Sequence, residues 1–235
     1  MDSKINFAVI VFPASNCDFD AFRVPAELLK QNAKYVWHKD TVLGDVDVVI
    51  LPGGFSYGDY LRTGAIARFS PIMNEVINFA NGGGLVIGFC NGFQILTECG
   101  LLPGVLMKNK SLKFICDYVN LKVVTNNSPF TSNCNKGEVL KIPIAHGDGN
   151  YFADENTLQS LIENDQILFQ YSDENGNITD QANPNGSLLN IAGVVNKKRN
   201  ILGMMPHPER AVRKILGSDD GLKIFNSIVE SFVYQ

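Results

Sequence analysis

The chain has 235 residues and no pair of cysteines at Cys-x-x-Cys spacing; its five cysteines, Cys17, Cys90, Cys99, Cys116 and Cys134, are odd in number and widely scattered. That excludes a disulfide-stapled secreted scaffold and a zinc-ribbon site, and it suits a reduced, cytoplasmic chain. Basic blocks are missing too. Lys and Arg number 20 against 24 Asp and Glu, for a formal charge of −4, so neither nucleic acid nor a membrane surface is an expected partner. No apolar run approaches the roughly 18 residues of a membrane span. Neither Gly-x-x-x-x-Gly-Lys-Ser/Thr nor Gly-x-Gly-x-x-Gly occurs, and Gly82-Gly83-Gly84 runs into Leu85 rather than a lysine. The two common glycine-loop devices for holding a nucleotide are therefore absent. Ile5–Phe12 follows Lys4 and imitates a signal peptide, but Asn6 interrupts it and Pro13 ends it, as befits a buried first strand.

What is present is enough for a sizeable core: 45% of the residues are apolar. The first hundred residues alternate strand and helix signals. Strands are expected at Ile5–Phe12, Tyr35–His38, Val46–Leu51 and Leu85–Phe89. Helices are expected at Asp18–Gln31, capped by Asn16 or Asp18, at Pro71–Ala80 with proline at the first position, and at Gly92–Glu98. This order predicts an α/β fold, a doubly wound and mostly parallel sheet with helices on both faces. From Lys113 the texture changes, and Phe114–Thr125, Glu138–His146, Ile167–Tyr171, Leu188–Asn196 and Asn200–Met205 read as added antiparallel strands. Leu222–Val233 reads as a closing helix capped by Ser218 or Asp219. With no internal repeat and no long linker, residues 1–235 are expected to form one domain.

Sites in such sheets lie beyond the carboxyl ends of the strands. Gly88-Phe89-Cys90-Asn91-Gly92 sits at one such end, between an apolar run and a helical pattern. A sharp strand-to-helix turn presents a nucleophile, and the N–H groups and positive dipole end of the helix favour a sulfur anion. The alternative is a buried core thiol. Cys99 and Cys116 are expected in the core and Cys134 in a polar loop; Cys17, near the top of the first strand, could line the site. His207-Pro208-Glu209 supplies a base and an acid two residues apart, which share a side if the segment is extended. Cys90, His207 and Glu209 are thus the candidate catalytic residues. His146 competes for the role of base but has no equally placed carboxylate; it is expected to hold a loop near the site or to meet a partner. His38 is expected to carry no chemistry. Pro52-Gly53-Gly54-Phe55 and the N–H of Asn91 are candidate oxyanion donors. Arg62, Arg210 and Arg213 are candidates for contacts with a partner or a ligand at the site rim, each set against the alternative of a solvated charge. No metal site is expected.

These residues resemble class I (triad) glutamine amidotransferases, whose mark is a Gly-x-Cys-x-Gly elbow with a later His-x-Glu. The resemblance extends to the glutaminase subunits of phosphoribosylformylglycinamidine synthase. It is carried by Ser15-Asn16-Cys17-Asp18, the loop from Pro52 to Arg62, the run from Gly88 to Leu96, the run from Ile142 to Gly149, and the run from Gly203 to Arg210. Asp148 stands where that family commonly has glutamate, and Ala14 where glycine is common. The resemblance implies a flavodoxin-like amidotransferase fold and hydrolysis of L-glutamine through a cysteine thioester. It implies substrate contacts from Gly53, Gly54, Phe55, Asn91, Gln94 and His146. It also implies a large synthetase subunit, which would bind ATP and magnesium and use the ammonia to convert formylglycinamide ribonucleotide to the amidine in purine biosynthesis, and a small bridging subunit. No cofactor is implied on this chain. Two other readings remain: a cysteine hydrolase of γ-glutamyl peptides on the same sheet, and a non-catalytic module that kept the fold.

Overall fold

A computed structural model describes residues 4–233. The chain opens with β1 (Asn6–Val11), α1 (Asp18–Arg23), β2 (Asn32–Trp37), β3 (Val48–Leu51), α2 (Ile72–Asn81), β4 (Leu85–Phe89) and α3 (Asn91–Glu98). β5 (Val105–Met107), β6 (Ile115–Val123), β7 (Val139–His146), β8 (Asn150–Phe152), α4 (Glu155–Glu163) and β9 (Ile167–Ser172) follow. β10 (Ile191–Val195), β11 (Ile201–Met204) and α5 (Leu222–Ser231) close the chain.

A nine-stranded sheet runs in the order β2-β1-β3-β4-β11-β10-β9-β6-β7. β2, β1, β3, β4 and β11 are parallel neighbours, and every pairing from β11 outward to β7 is antiparallel. Asn200–Met205, expected among the antiparallel additions, thus forms β11, which extends the parallel part beside β4 and is antiparallel only to β10. Residues of β3, β4, β10 and β11 are all buried, because helices cover both faces of the sheet. On β1, Phe7 and Val9 pack with Ala21 of α1 and Ile224 and Phe225 of α5, while Ala8 and Ile10 pack with Ile72 and Val76 of α2 and Phe93 of α3. The strand pleat thus feeds alternate side chains to two cores.

Some local expectations give way. The first helix stops at Arg23 and continues as a wider turn over Val24–Leu28; Pro25 has no N–H to extend the α ladder. Cys17, not Asn16 or Asp18, takes the cap position, and Gly221, not Ser218 or Asp219, precedes α5. Leu188–Asn190 is a 3-10 turn rather than strand, with Leu189 and Asn190 both at positive φ. β5 and β8, which form a separate two-stranded sheet, and α4 carried no motif that singled them out. Cys116 is exposed and Cys99 half-buried, whereas Cys134 is buried despite its polar neighbours.

Two pairings place the site. Gly88 and Phe89 of β4 lie beside Gly203 and Met204 of parallel β11, and Gly88 also faces Leu51 of β3. The chain therefore leaves β3, β4 and β11 along one carboxyl edge. β6 pairs with β9 only through Asn120–Val123, so Ile115–Val119 and its β7 partners Ile142–His146 form a free ribbon. That ribbon bends back over the edge, where Pro143 accepts a hydrogen bond from the His207 N–H at 2.8 Å.

Candidate active site

β4 passes into α3 at Cys90, held at φ 50° and ψ −107°. A non-glycine residue there is strained, and the surroundings fix it. The Cys90 N–H donates to Met204 O at 2.8 Å, and its carbonyl accepts from the Gln94 N–H at 3.1 Å. A Cβ on Gly92 would stand 1.9 Å from the Leu51 carbonyl oxygen, so only glycine lets α3 start this close to the end of β3. The Cys90 side chain is buried, and its sulfur faces Ala145 O at 3.6 Å.

His207 follows β11 and precedes the short turn Pro208–Arg210. Its Nδ1 lies 2.6 Å from Glu209 Oε1, and both side chains are buried. A turn, not the extended segment expected from sequence, brings the carboxylate under the ring. Burial opposes a charge on His207, but the Glu209 and Cys90 charges and contacts with both the Cys17 and Cys90 thiols outweigh it and raise its pKa well above the ordinary value. His207 Nε2 itself has no hydrogen-bond partner of normal geometry. Gly53 is the packing floor of this group: a Cβ there would meet His207 Cε1 at 2.7 Å, Cys17 Sγ at 3.1 Å and Cys90 Cβ at 3.4 Å. Gly53 two residues after β3, Cys90 directly after β4 and His207 after β11 thus meet at one point.

Cys17 is the addition that the motifs only allowed for. Its buried sulfur accepts from Arg210 Nη2 at 2.9 Å and shares a space with His207 and Glu209, their donor atoms lying within 4.8 Å of one another. Burial pushes its thiol pKa up, against the pull of His207. Arg210 also approaches Asp20, Nε to Oδ2, at 3.7 Å. Arg62 is turned away and pairs with Glu98, and Arg213 is exposed.

The Phe55 N–H is committed to Ala14 O at 3.1 Å, which removes it from the expected oxyanion donors. Its ring instead stacks on Phe114, centroids 6.4 Å apart, beside a cleft of about 150 Å³ lined by Cys17, Gly54, Ala145, His207 and Arg210. Phe114 carried no sequence signal, since its role depends on where the ribbon bends.

Asn91 and Gln94 are buried and lock two loops to α3. Asn91 accepts from the Ser56 N–H at 3.1 Å and donates to Gln94 Oε1 at 2.9 Å and to Asp59 Oδ1 at 3.3 Å. Gln94 donates to Asp148 O at 2.6 Å. Burial, then the charge on Asp148, lifts the Asp59 carboxyl to about 6, with the Asn91 bond acting against them. His146 lies beneath the same loop, its Nδ1 3.1 Å from Asn109 Oδ1. Burial and then the charge on His207 lower its pKa to about 4, so its ring is neutral at pH 7. Asn109, fully buried, also accepts from the Gly149 N–H and donates to His146 O and Lys113 O. His38, buried, meets the Tyr57 hydroxyl at 2.6 Å.

A family model described as CobB/CobQ-like glutamine amidotransferase domain matches residues 4–226. A protein of Salinibacter ruber named phosphoribosylformylglycinamidine synthase subunit PurQ is 56% identical over 95% of each chain. One of the same name from Moorella thermoacetica is 57% identical over 96% of each. The chain belongs to the PurQ family of glutamine amidotransferases. A solved structure described as PurLQS from Thermotoga maritima superimposes with a TM-score of 0.85 at 43% identity, covering 97% of this chain and 99% of the other. A putative GMP synthase subunit of Thermoplasma acidophilum, 15% identical with a TM-score of 0.60, shares the fold. Family membership agrees with the elbow at Cys90 and the His207–Glu209 pair.

Proposed function

We infer that this chain is the glutaminase subunit of a phosphoribosylformylglycinamidine synthase: it hydrolyses L-glutamine to glutamate and ammonia, and the ammonia serves purine biosynthesis. The observation that carries the reading is the meeting of Cys90 and His207 at Gly53 on one edge of the sheet, with Glu209 bonded to the His207 ring.

The Cys90 sulfur attacks the side-chain carboxamide carbon of glutamine. The carbonyl electron pair moves to oxygen, and the backbone N–H groups of Gly54 and Asn91 receive that oxyanion. Collapse of the tetrahedral species expels the nitrogen, which takes the His207 proton and leaves as ammonia. His207, now neutral, accepts a proton from water as it attacks the thioester; the Cys90 sulfur leaves and glutamate is released. Glu209 holds the ring orientation and balances its charge in each half-reaction. Gly53 keeps the approach clear, Asn91 and Gln94 set the floor of the glutamine site, and His146 supports the Asp148–Gly149 loop beside it.

The ammonia acceptor belongs to a partner. In water near pH 7 ammonia is mostly protonated and a poor nucleophile, so a docked large synthetase subunit with a sheltered path is required. That subunit would hold ATP and magnesium, with a small bridging subunit completing the assembly. Five free cysteines suit a reducing cytoplasm, and no helix among the described residues is long and apolar enough to cross a membrane.

The test uses the assembled enzyme. Cys90→Ala should abolish glutamine-dependent amidine formation and leave the ammonia-dependent reaction intact. A glutamine-mimicking electrophile followed by peptide mass spectrometry should label Cys90. Labelling of Cys17 instead, or normal glutamine turnover by the Ala variant, overturns the assignment.

A further inference from the structure

The hydrolysis just described leaves one thiol beside the catalytic groups without a task. Cys17 lies among the catalytic side chains, yet the nucleophile is Cys90, and no step needs a second thiol. A second polar atom is also unexplained: Glu209 Oε2 is buried and without a partner, while Oε1 alone orients His207.

We propose that Cys17, His207 and Glu209 form a binding site for a borderline divalent cation of the zinc class, and that occupancy reversibly shuts off glutamine hydrolysis. Three observations carry this. The sulfur, a ring nitrogen and a carboxylate oxygen lie within 4.8 Å of one another. Ligand atoms of a tetrahedral zinc, at about 2.0–2.3 Å from the metal, stand somewhat closer together than that, so side-chain rotations that exchange the His207–Glu209 bond for metal ligation close the set. The donors are one sulfur, one imidazole and one carboxylate, a combination that selects zinc-like ions over magnesium or calcium. The cleft lined by Cys17 and His207 gives an entry path. The Cys90 side chain packs on the same Gly53 and can add a fourth ligand.

Charge does not forbid the site. The dication displaces the thiol proton of Cys17 and the imidazolium proton of His207, and two protons leave for one doubly charged ion. The buried group keeps its net charge, so Arg210 meets no added repulsion, and its guanidinium at 2.9 Å stabilises the Cys17 sulfur as an anion. The consequence for catalysis is direct: a coordinated His207 can neither give a proton to ammonia nor take one from water.

Cobalt(II) is the probe, because its sulfur-to-metal absorption band reports thiolate ligation. Metal-stripped chain in complex with its synthetase partners should bind one cobalt per chain with that band. Buffered zinc should abolish glutamine-dependent synthesis, spare ammonia-dependent synthesis, and be reversed by a chelator. Cys90→Ala should still bind cobalt and keep a thiolate band. Cys17→Ser should lose Cys17's share of the band and bind at least about 10-fold more weakly. Loss of the band in Cys90→Ala, or unchanged affinity in Cys17→Ser, overturns the proposal. The inhibition arm rests on the glutaminase reading and the spectrum does not, so the two can fail separately. The Cys90→Ala spectrum also decides the matter if Cys17→Ser does not fold.

Discussion

Gly92 and Leu51 meet backbone to backbone, with room for no side chain: a Cβ on Gly92 would lie 1.9 Å from the Leu51 carbonyl oxygen. This contact sets where α3 begins, and with it the direction of the Cys90 side chain. Gly92→Ala must push α3 away from β3. It should destabilise the fold by about 2–3 kcal/mol, in the range of overpacking changes, and abolish glutamine turnover even at temperatures where the variant is folded. Denaturant titration and a glutaminase assay check the two parts. Normal turnover in a folded variant would show that the elbow geometry is not needed.

Glu209→Gln keeps the size of the side chain and removes its charge. The imidazolium of His207 then loses its chief support, and kcat for glutamine should fall by about 10²–10⁴. KM should change little, because Glu209 lies behind His207. Steady-state kinetics with glutamine, beside ammonia-dependent synthesis as a control of assembly, reads this out.

Asp59 gives a stability effect that depends on pH. Its folded carboxyl titrates at about 6, above the ordinary 3.8, so the folded state binds this proton more tightly than the unfolded chain does. Its contribution is fully present below about 4 and is lost as pH rises to about 6. Asp59→Asn removes the loss. The variant should be more stable than the parent at pH 7.5 by about 1 kcal/mol, a figure reduced for the half-exposed side chain. The difference should vanish near pH 4, and thermal melts across that interval would detect it.

Asn109 ties the chain after β5 to His146 at the end of β7 and to Gly149 in the loop that follows. Asn109→Ala leaves those buried groups without partners and should cost about 2–4 kcal/mol. Hydrogen exchange should speed up at the Gly149 amide before it does at the amides of β4. Equal protection in variant and parent would remove Asn109 as the anchor of this loop.

Much of the site was legible because its parts are local. The apolar run into Gly-Phe-Cys-Asn-Gly reads as a strand turning into a helix, and β4, Cys90 and α3 form as that pattern requires. β1, β3 and β4 were legible as continuous apolar stretches, since a sheet covered on both faces needs no polar alternation; β11 was not, for it was read among the antiparallel additions and pairs parallel to β4. Cys17 was harder: nothing in Ser15-Asn16-Cys17-Asp18 says how far it stands from residue 207. Phe55 misled, because its N–H is spent on Ala14, a bond between segments about forty residues apart in the chain.

By itself, the sequence determined which residues could be nucleophile, base and orienting acid, and that strands and helices would alternate, because such signals reside in neighbours a few positions apart. Only the tertiary structure decided that β11 would insert beside β4, that the β6–β7 ribbon would bend back over the strand ends, and that a second sulfur would join the imidazole. Those outcomes depend on long-range pairing and on packing at Gly53, where three distant segments compete for the space of one missing side chain.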